Sequence, residues 1–276
     1  MKMLRELLTA WVLAMSLPGA FASPLVAFVA DVQGQVSIGG KARPVLMSEV
    51  ASGQKIDLGA DGRLSVMYLQ SGKEFTLRGP GQYTVGNTDI AVVAGAAPVS
   101  REVPRPVNSQ VVVNVARSAA ASTRMRDLNF IPGPDYPRRG AIATAQPTLR
   151  WRFDPAAIPA EVKLTVLGED QAKLLETRVA GTELRLPAPL EPGRRYFWML
   201  DAGGQSLGEG AFRVLPAEAL AQLAQARPAA DAPFADRLLY ALQLQDAGAD
   251  ADAREAWAAL ARERPDLAEL QRLASR

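Results

Sequence analysis

Two short motifs contain residue types that could transfer an acyl group. Residues 204–208 read Gly-Gln-Ser-Leu-Gly and match the G-x-S-x-G pattern, and residues 52–55 read Ser-Gly-Gln-Lys and match S-x-x-K. The serine of the first pattern needs a histidine base, and the chain has no histidine. A Ser–Lys pair needs a helix N-terminus that presents both groups, whereas Gly53 and its strand-like flanks predict a turn. We therefore interpret both motifs as turns between strands.

The chain contains neither histidine nor cysteine, and this excludes several classes of site. Zinc and copper sites nearly always use one of these residues, and cysteine nucleophiles and disulfides need a thiol. Asp250 and Asp252 precede a helical pattern, but the further oxygen ligands and the glycine of a calcium loop are absent. We interpret Asp252 as the N-cap of that helix, with Glu255 as its capping-box partner. The sequence predicts no catalytic residues, no cofactor and no metal, and hence a protein that is not an enzyme.

The composition is that of an ordinary globular protein, with 48% hydrophobic and 22% charged residues. A length of 276 residues predicts one to three domains. The formal net charge of +2 is too small to indicate a nucleic-acid-binding surface. We therefore expect no nucleic-acid partner.

The first 22 residues have the three parts of a Sec-type signal peptide. Residues 1–5 carry Lys2 and Arg5, residues 7–17 are mostly apolar, and residues 20–22 read Ala-Phe-Ala, an A-x-A cleavage site. The apolar run is shorter than the roughly 20 residues that a membrane-spanning helix prefers. We expect cleavage after Ala22 and a periplasmic mature protein. An uncleaved anchor, which would attach the protein to the membrane, remains the alternative.

Residues 23–95 show the two-residue period of half-buried strands. The apolar side chains that share one parity in the first part are Phe28, Ala30, Val32, Val36 and Ile38. Leu64, Val66 and Tyr68 alternate again further on, and glycines close each run. Short strands at near-regular spacing predict a small β roll or barrel.

The order of these runs resembles the FecR-like extracytoplasmic domain. The pieces that carry the resemblance, within residues 26–93, are VADVQGQV at 29–36, VASGQKI at 50–56, DGRLSVMYLQSG at 61–72 and LRGPGQY at 77–83. The resemblance implies a binding and signalling module rather than a catalyst. FecR-like regulators relay a signal from an outer-membrane transporter to a cytoplasmic sigma factor, which requires a cytoplasmic N-terminal region and a membrane span. Since this chain has a signal peptide there, the resemblance implies a periplasmic binding module.

Residues 96–145 are rich in proline and locally basic, and we expect a connector between two domains. Residues 111–115, Val-Val-Val-Asn-Val, are its one strand-like run and could return to the first domain as an extra strand. Its arginines include Arg117, Arg124 and Arg126, which are candidate contacts for an anionic surface.

Residues 146–215 predict a second β domain. Several short strand-like runs, an early Trp151 and a late Tyr196-x-Trp198 fit a seven-strand sandwich. The pattern resembles a fibronectin type III or immunoglobulin-like domain. Trp151 and Trp198 are predicted to be core residues.

Residues 216–276 change to a helical period. Residues 234–267 resemble a single tetratricopeptide repeat, with Gly248 at the turn between its helices and Ala253 at the small position where the helices cross. Trp257 stands at the aromatic position and Pro265 at the closing proline. Because a lone repeat is below the three usually needed for an independent solenoid, we expect this segment to lean on a neighbouring domain or on a partner.

These features together predict an exported, non-catalytic periplasmic adaptor that engages protein partners of the cell envelope. Tyr240, Leu244 and Trp257 are candidate groove residues for a partner helix or peptide, with edge-strand or loop contacts from the β domains. One alternative is a peptidoglycan- or polysaccharide-binding protein that uses the arginine strip together with Tyr68 and Tyr83. Another is a FecR-type signal-transduction regulator held in the membrane by an uncleaved anchor.

Overall fold

The structure, a computed structural model, describes residues 25–103 and 132–275. The predicted signal peptide, the predicted strand at 111–115 and Arg117, Arg124 and Arg126 lie outside these residues. Within the described ranges, eighteen strands precede four helices. The predicted fold class, mainly β with a C-terminal α segment, is thus confirmed. None of the helices in these ranges is both long and apolar enough to cross a membrane.

The first β domain consists of two five-stranded antiparallel sheets that face each other. Its strands are β1 Leu25–Gln33, β2 Val36–Ile38, β3 Lys41–Ala42, β4 Glu49–Ala51, β5 Lys55–Leu58, β6 Arg63–Tyr68, β7 Lys73–Arg78, β8 Gly81–Val85, β9 Ile90–Ala94 and β10 Val99–Glu102. One sheet has the order β10-β7-β6-β1-β4 and the other the order β3-β2-β5-β8-β9. Apolar side chains from both sheets form the core between them.

Strand β1 of the first sheet is buried on both of its faces. Ala27 and Val29 of β1 point into the core between the two sheets, whereas Phe28 and Ala30 belong to a second cluster shared with the C-terminal helices. The alternating residues identified in the sequence, Phe28 and Ala30, therefore face the helices and not the other sheet. A strand buried on both faces shows a nearly continuous apolar run, and residues 25–30 have that composition.

The second β domain begins before residue 146, where the sequence had placed its start. Its strands are β11 Gly133–Tyr136, β12 Ala141–Ile142, β13 Thr148–Arg152, β14 Val162–Gly168, β15 Lys173–Val179, β16 Glu183–Arg185, β17 Arg195–Ala202 and β18 Gln205–Val214. They form a three-stranded sheet, β11-β13-β16, and a five-stranded sheet, β12-β18-β17-β14-β15. The expected connector at 96–145 is therefore corrected: residues 99–102 complete a sheet of the first domain, and residues 133–142 contribute two strands to the second.

The two tryptophans of the second domain lie in its core, as the sequence predicts. Trp151 and Trp198 are 2% and 0% exposed, and their ring centroids are 6.3 Å apart. Trp198 Nε1–H donates to the Pro137 carbonyl at 2.9 Å, and Trp151 Nε1–H donates to the Gly181 carbonyl at 3.0 Å. Both indole donors are thus satisfied inside the protein, as buried tryptophans require.

Both serine motifs lie at turns. Gly203 and Gly204, with φ angles of +57° and +80°, form the two-residue hairpin loop between β17 and β18. Positive φ at both central residues is the requirement of the type I′ hairpin turn, which favours glycine. Gly53, with φ of +82°, lies in the tight connection between β4 and β5. Neither serine stands at the start of a helix.

Four helices end the described chain. They are α1 Ala217–Ala226, α2 Phe234–Asp246, α3 Asp250–Glu263 and α4 Ala268–Ala274. Their apolar faces form one cluster with Phe28, Ala30, Leu46, Met47 and Met67 of the first β domain and with Ala141 and Leu215 of the second. The helical end therefore packs against both β domains, which bury its apolar face.

Candidate functional site

The predicted groove on the helical end does not form, which corrects the assignment of its residues. Leu244 and Trp257 are each 2% exposed and belong to the core cluster beneath the helices. Trp257 Nε1–H donates to Gln245 Oε1 at 3.1 Å. Tyr240 is half-buried, and its hydroxyl accepts a long hydrogen bond from Arg227 Nε at 3.4 Å. Two of the three side chains are thus internal packing residues and cannot contact a partner.

Two arginines fasten the helical end to the first β domain. Arg264, directly after α3, forms an ion pair with Asp31 of β1 and donates to the Val32 carbonyl at 2.8 Å. Arg101 of β10 makes a two-pronged contact with Asp236 of α2, at 3.0 and 2.6 Å. Arg101 also forms an ion pair with Glu74, which is only 4% exposed.

Asp252 fastens the helical end to the second β domain. It is not the N-cap predicted from the sequence, because α3 begins at Asp250 and has Ala249 at its N-cap. Its carboxylate accepts hydrogen bonds from the Tyr136 hydroxyl at 3.0 Å and from the Ala143 N–H at 2.7 Å. Burial raises the pKa of the Asp252 carboxyl, although these two hydrogen bonds oppose the shift. Glu255, the expected capping partner, instead forms an ion pair with Arg150.

These contacts make the helical end an internal joint. The edges of the sheets in the two β domains are a second place where a partner could bind. An edge strand presents unpaired N–H and C=O groups to any chain that approaches it. Native proteins usually block such strands with charged side chains, or cover them.

Seven of the eight sheet edges in the described chain are blocked in one of these ways. Six carry charged residues, on β3, β4, β10, β11, β15 and β16. The seventh, β12, is buried and lies beside α3. The eighth is β9, Ile90–Ala94, which is uncharged, pairs only with β8 among the described strands and has a bulge in that pairing at Val93. We call this strand and its unpaired side the β9 edge.

The β9 edge is apolar as well as uncharged. Val92 and Val93 are 45% and 64% exposed, and Ala91 and Ala94 are exposed beside them. The segment from Ile90 to Ser100 contains no charged residue. The pairing with β8 has a bulge at Val93, because Val92 lies opposite Tyr83 and Ala94 lies opposite Gln82.

Two buried tyrosines hold the ends of β9 in place. The Tyr68 hydroxyl donates into the turn before β9, where the carbonyls of Gly86 (at 3.1 Å) and Asp89 both face it. The Tyr83 hydroxyl lies 2.9 Å from the Ala96 carbonyl, just after β9, and 3.0 Å from the Arg78 carbonyl. Both side chains are 1% exposed. They are therefore not the surface contacts that the polysaccharide hypothesis required, but supports that fix the β9 edge in its extended form.

The hydroxyl of Tyr68 gives a pH-dependent prediction. Burial, followed by the nearby Asp89 charge, raises the pKa of Tyr68 to about 12 from 10.0. Because the folded-state pKa is the higher one, the stabilisation by Tyr68 is present below pH 10 and is lost as the pH rises towards 12. We expect Tyr68→Phe to have a lower free energy of unfolding than the parent protein at pH 8, and this difference to decrease between pH 10 and 12. Urea unfolding of both proteins across this range measures the difference. A difference that does not change with pH would contradict the role of the Tyr68 hydroxyl.

No aromatic side chain in residues 25–103 and 132–275 is exposed. Every tryptophan, tyrosine and phenylalanine there is buried or half-buried. The same residues contain no cluster of acidic side chains that could hold a metal ion.

A groove of about 330 Å³ lies beside β15. Leu174, which is 52% exposed, lies in it, together with acidic Glu169 and Asp170 and basic Arg194 and Arg195. The adjacent β15 edge carries Lys173, Glu176 and Arg178. These charges oppose the addition of a further strand, so Leu174 serves below as a matched control for Val93.

Comparison of the chain with models of known protein families and with curated proteins found no match. The candidate site therefore rests on the geometry of the β9 edge alone. The sequence interpretation overlooked Val92 and Val93. The signal that could have identified them is the uncharged run from Ile90 to Ser100, interrupted by Gly95 and Pro98.

Proposed function

We propose that the protein is an exported, non-catalytic adaptor of the cell envelope that binds a partner protein by adding the partner's strand to β9. The observation that carries the proposal is that β9, alone among the eight sheet edges of the described chain, is neither charged nor covered. The signal peptide predicted in residues 1–22 and the FecR-like pattern of residues 26–93 support a periplasmic location and a binding role.

Strand addition obtains affinity from main-chain hydrogen bonds and specificity from alternate side chains. The unpaired N–H and C=O groups of β9 would supply the hydrogen bonds, and the exposed Val92 and Val93 would supply the apolar contacts. The turn held by Tyr68 and the carbonyl held by Tyr83 fix the edge before binding. A preorganised site loses less conformational entropy when a partner binds.

The helical end contacts β10, the strand that follows β9. Arg101 lies on β10, which follows β9 directly in the chain, and its contacts with Asp236 and Glu74 hold β10 against α2 and β7. The segment between β9 and β10 is thereby fixed at both ends. In this proposal the helices support the binding surface and do not themselves bind the partner.

Val93→Lys tests the proposal. A lysine at this position would bring an unpaired charge against the added strand, and we expect at least about a tenfold loss of partner binding, since burying such a charge costs more than 1.4 kcal/mol. The tagged parent, Val93→Lys and the control Leu174→Lys are compared in pull-downs from detergent-solubilised envelope fractions.

Both side chains are exposed in the parent, so neither substitution should change the free energy of unfolding by more than about 0.5 kcal/mol. A discrete protein retained by the parent and by Leu174→Lys but lost with Val93→Lys supports strand addition at β9. Equal retention by all three proteins contradicts it.

A further inference from the structure

We infer that a recess on the second β domain binds a phosphate or phosphate-monoester group between Arg195 and Arg213. The recess lies on the outer face of the five-stranded sheet, where β12, β17 and β18 meet the start of α3, and its volume is about 370 Å³. That volume falls within the usual range for small-molecule sites, about 300–1,000 Å³. The site is remote in sequence from β9 and does not depend on strand addition there. We call it the arginine recess; the lining residues used below are Gly140, Arg195, Phe197, Ala211, Arg213 and Asp250.

The register of the sheet places two arginines side by side in the recess. Arg195 of β17 lies directly opposite Arg213 of β18, and the Cα atoms of such antiparallel pairs are about 4.5–5.5 Å apart. The neighbouring side chains, Tyr196 and Phe212, belong to the core of the domain. Both arginines therefore stand on the outer face, where they are exposed. Like charges directly opposite each other on neighbouring strands are destabilising.

The chain before β12 brings a third arginine to the same face. The Ala211 N–H donates to the Arg138 carbonyl at 3.1 Å, and the Arg213 N–H donates to the Gly140 carbonyl at 3.0 Å. These bonds extend the parallel pairing of β12 with β18 back to Arg139, which thus lies beside Ala211. Arg139 is exposed and shares the face of Arg213. The small side chain of Ala211 leaves the recess open between them.

The charges of these three arginines are not neutralised within the described chain. The ion pairs of residues 25–103 and 132–275 include none of Arg139, Arg195 and Arg213. Arg150 of the same domain, by contrast, pairs with Glu255. An external anion seated between Arg195 and Arg213 would remove the repulsion that the sheet register imposes on them.

The number of oxygens and the charge favour phosphate as this anion. A guanidinium group binds phosphate through two parallel N–H···O bonds. A phosphate monoester has three terminal oxygens and a charge of about −1.5 to −2 at pH 7, so it can accept from Arg195 and Arg213 together and match their summed charge. A carboxylate or a phosphodiester offers only two free oxygens and a single charge.

Asp250 gives the recess a means of distinguishing phosphate from sulfate. It is the first residue of α3 and brings a carboxylate to the same recess. Gly140, with φ of +90°, permits this approach, because a Cβ added there would lie 3.2 Å from the Asp250 Cβ. The second pKa of a phosphate monoester is about 6, so part of the bound phosphate carries a proton that can be donated to Asp250. Sulfate has no such proton, and its full charge is repelled by the carboxylate.

Isothermal titration calorimetry of the purified protein with inorganic phosphate and with sulfate, at constant ionic strength, tests the site. We expect saturable binding of phosphate by the parent, and at least about a tenfold loss of affinity in Arg195→Gln and in Arg213→Gln, since each removes charge-assisted hydrogen bonds. Asp250→Asn should abolish the preference for phosphate over sulfate. Both arginines are exposed, so the variants should fold, and urea unfolding should show them at least as stable as the parent without phosphate.

A second pair of opposed arginines provides the matched control. Arg63 of β6 lies opposite Arg78 of β7 in the first β domain, and both are exposed. The double variant Arg63→Gln/Arg78→Gln loses the same charge as Arg195→Gln/Arg213→Gln and should bind phosphate as the parent does. Equal losses in the two double variants would reveal general charge attraction and overturn the site. Unchanged binding by Arg195→Gln/Arg213→Gln, or equal affinity of the parent for phosphate and sulfate, would also overturn it.

Vesicles distinguish the two sources of a phosphate monoester, a soluble molecule and a lipid headgroup. The parent and the recess double variant are mixed with phosphatidylcholine vesicles that contain or lack phosphatidic acid, and bound protein is collected by flotation. Flotation of the parent alone, and only with phosphatidic acid, supports the site with a lipid source. Binding of inorganic phosphate without flotation supports it with a soluble source, and binding of neither overturns it. Val93→Lys should bind phosphate normally, so this result and the test of β9 stand apart.

Discussion

Trp257→Ala is expected to lower the free energy of unfolding by about 3–5 kcal/mol, the usual cost of removing a fully buried tryptophan. Trp257 is 2% exposed and lies in the cluster that joins the helices to both β domains. The substitution removes this packing and leaves Gln245 Oε1 without its indole donor. Since folded domains are stable by only about 5–15 kcal/mol, the helical end should separate from the β domains well before they unfold.

Chemical unfolding followed by circular dichroism measures this loss. Tyr240→Phe is the matched control, because it keeps the ring on the same group of helices and removes only the 3.4 Å contact with Arg227. We expect the control to change stability by less than about 0.5 kcal/mol. A Trp257→Ala protein as stable as the control would contradict the core position of Trp257 and favour the surface groove predicted from the sequence.

Arg264→Met is expected to cost about 3 kcal/mol, because it leaves the buried carboxylate of Asp31 without its cation. Arg264 and Asp31 are 13% and 11% exposed, so solvent screens this pair little. The arginine also donates to Asp266 at 2.8 and 2.9 Å and lies 5.5 Å from the centre of the Phe234 ring. Its replacement therefore removes several contacts near the junction of α3 and β1 at once.

Arg262→Met, two residues earlier at the exposed end of α3, is the control and should change stability by less than about 0.5 kcal/mol. The double variant Asp31→Asn/Arg264→Met should recover part of the lost stability, since it also removes the unpaired negative charge of Asp31. Equal melting of Arg264→Met and Arg262→Met would show that the ion pair does not hold the joint.

Helical periodicity predicted the C-terminal elements well. The helical period of residues 216–276 agrees with the four helices between Ala217 and Ala274, and Gly248, with φ of +73°, lies at the predicted turn. The same periodicity could not tell which surface the apolar stripe would cover. Leu244 and Trp257 fit a groove or a core equally well in the sequence, and the apolar outer face of β1 decided for the core.

The boundaries of the second β domain were harder to predict because its first strands contain turn residues. β11 reads Gly-Pro-Asp-Tyr and β12 has only two residues, so neither shows the alternation of a typical strand. Both are held by their partners, β13 and β18. Local propensity carries no information about such pairing.

The sequence did not identify the β9 edge because this strand is distinguished only by the absence of charged residues and of a covering element. The short run Ala-Val-Val-Ala reads as an ordinary buried strand, and the sequence alone does not say that it lies at a sheet edge. Likewise Tyr68 and Tyr83 appear as surface aromatics in a polar context until the structure shows their hydroxyls on the Gly86 and Ala96 carbonyls.

The most direct test of the account places a photo-crosslinking amino acid at Val93 or, as control, at Leu174 in the exported protein in living cells. Irradiation at position 93 should give one discrete product of higher mass, and the control should give none. A product of twice the monomer mass identifies a second copy, and any other mass identifies a foreign partner strand. No product at position 93, or equal products at both positions, would contradict the claim that β9 is the binding strand.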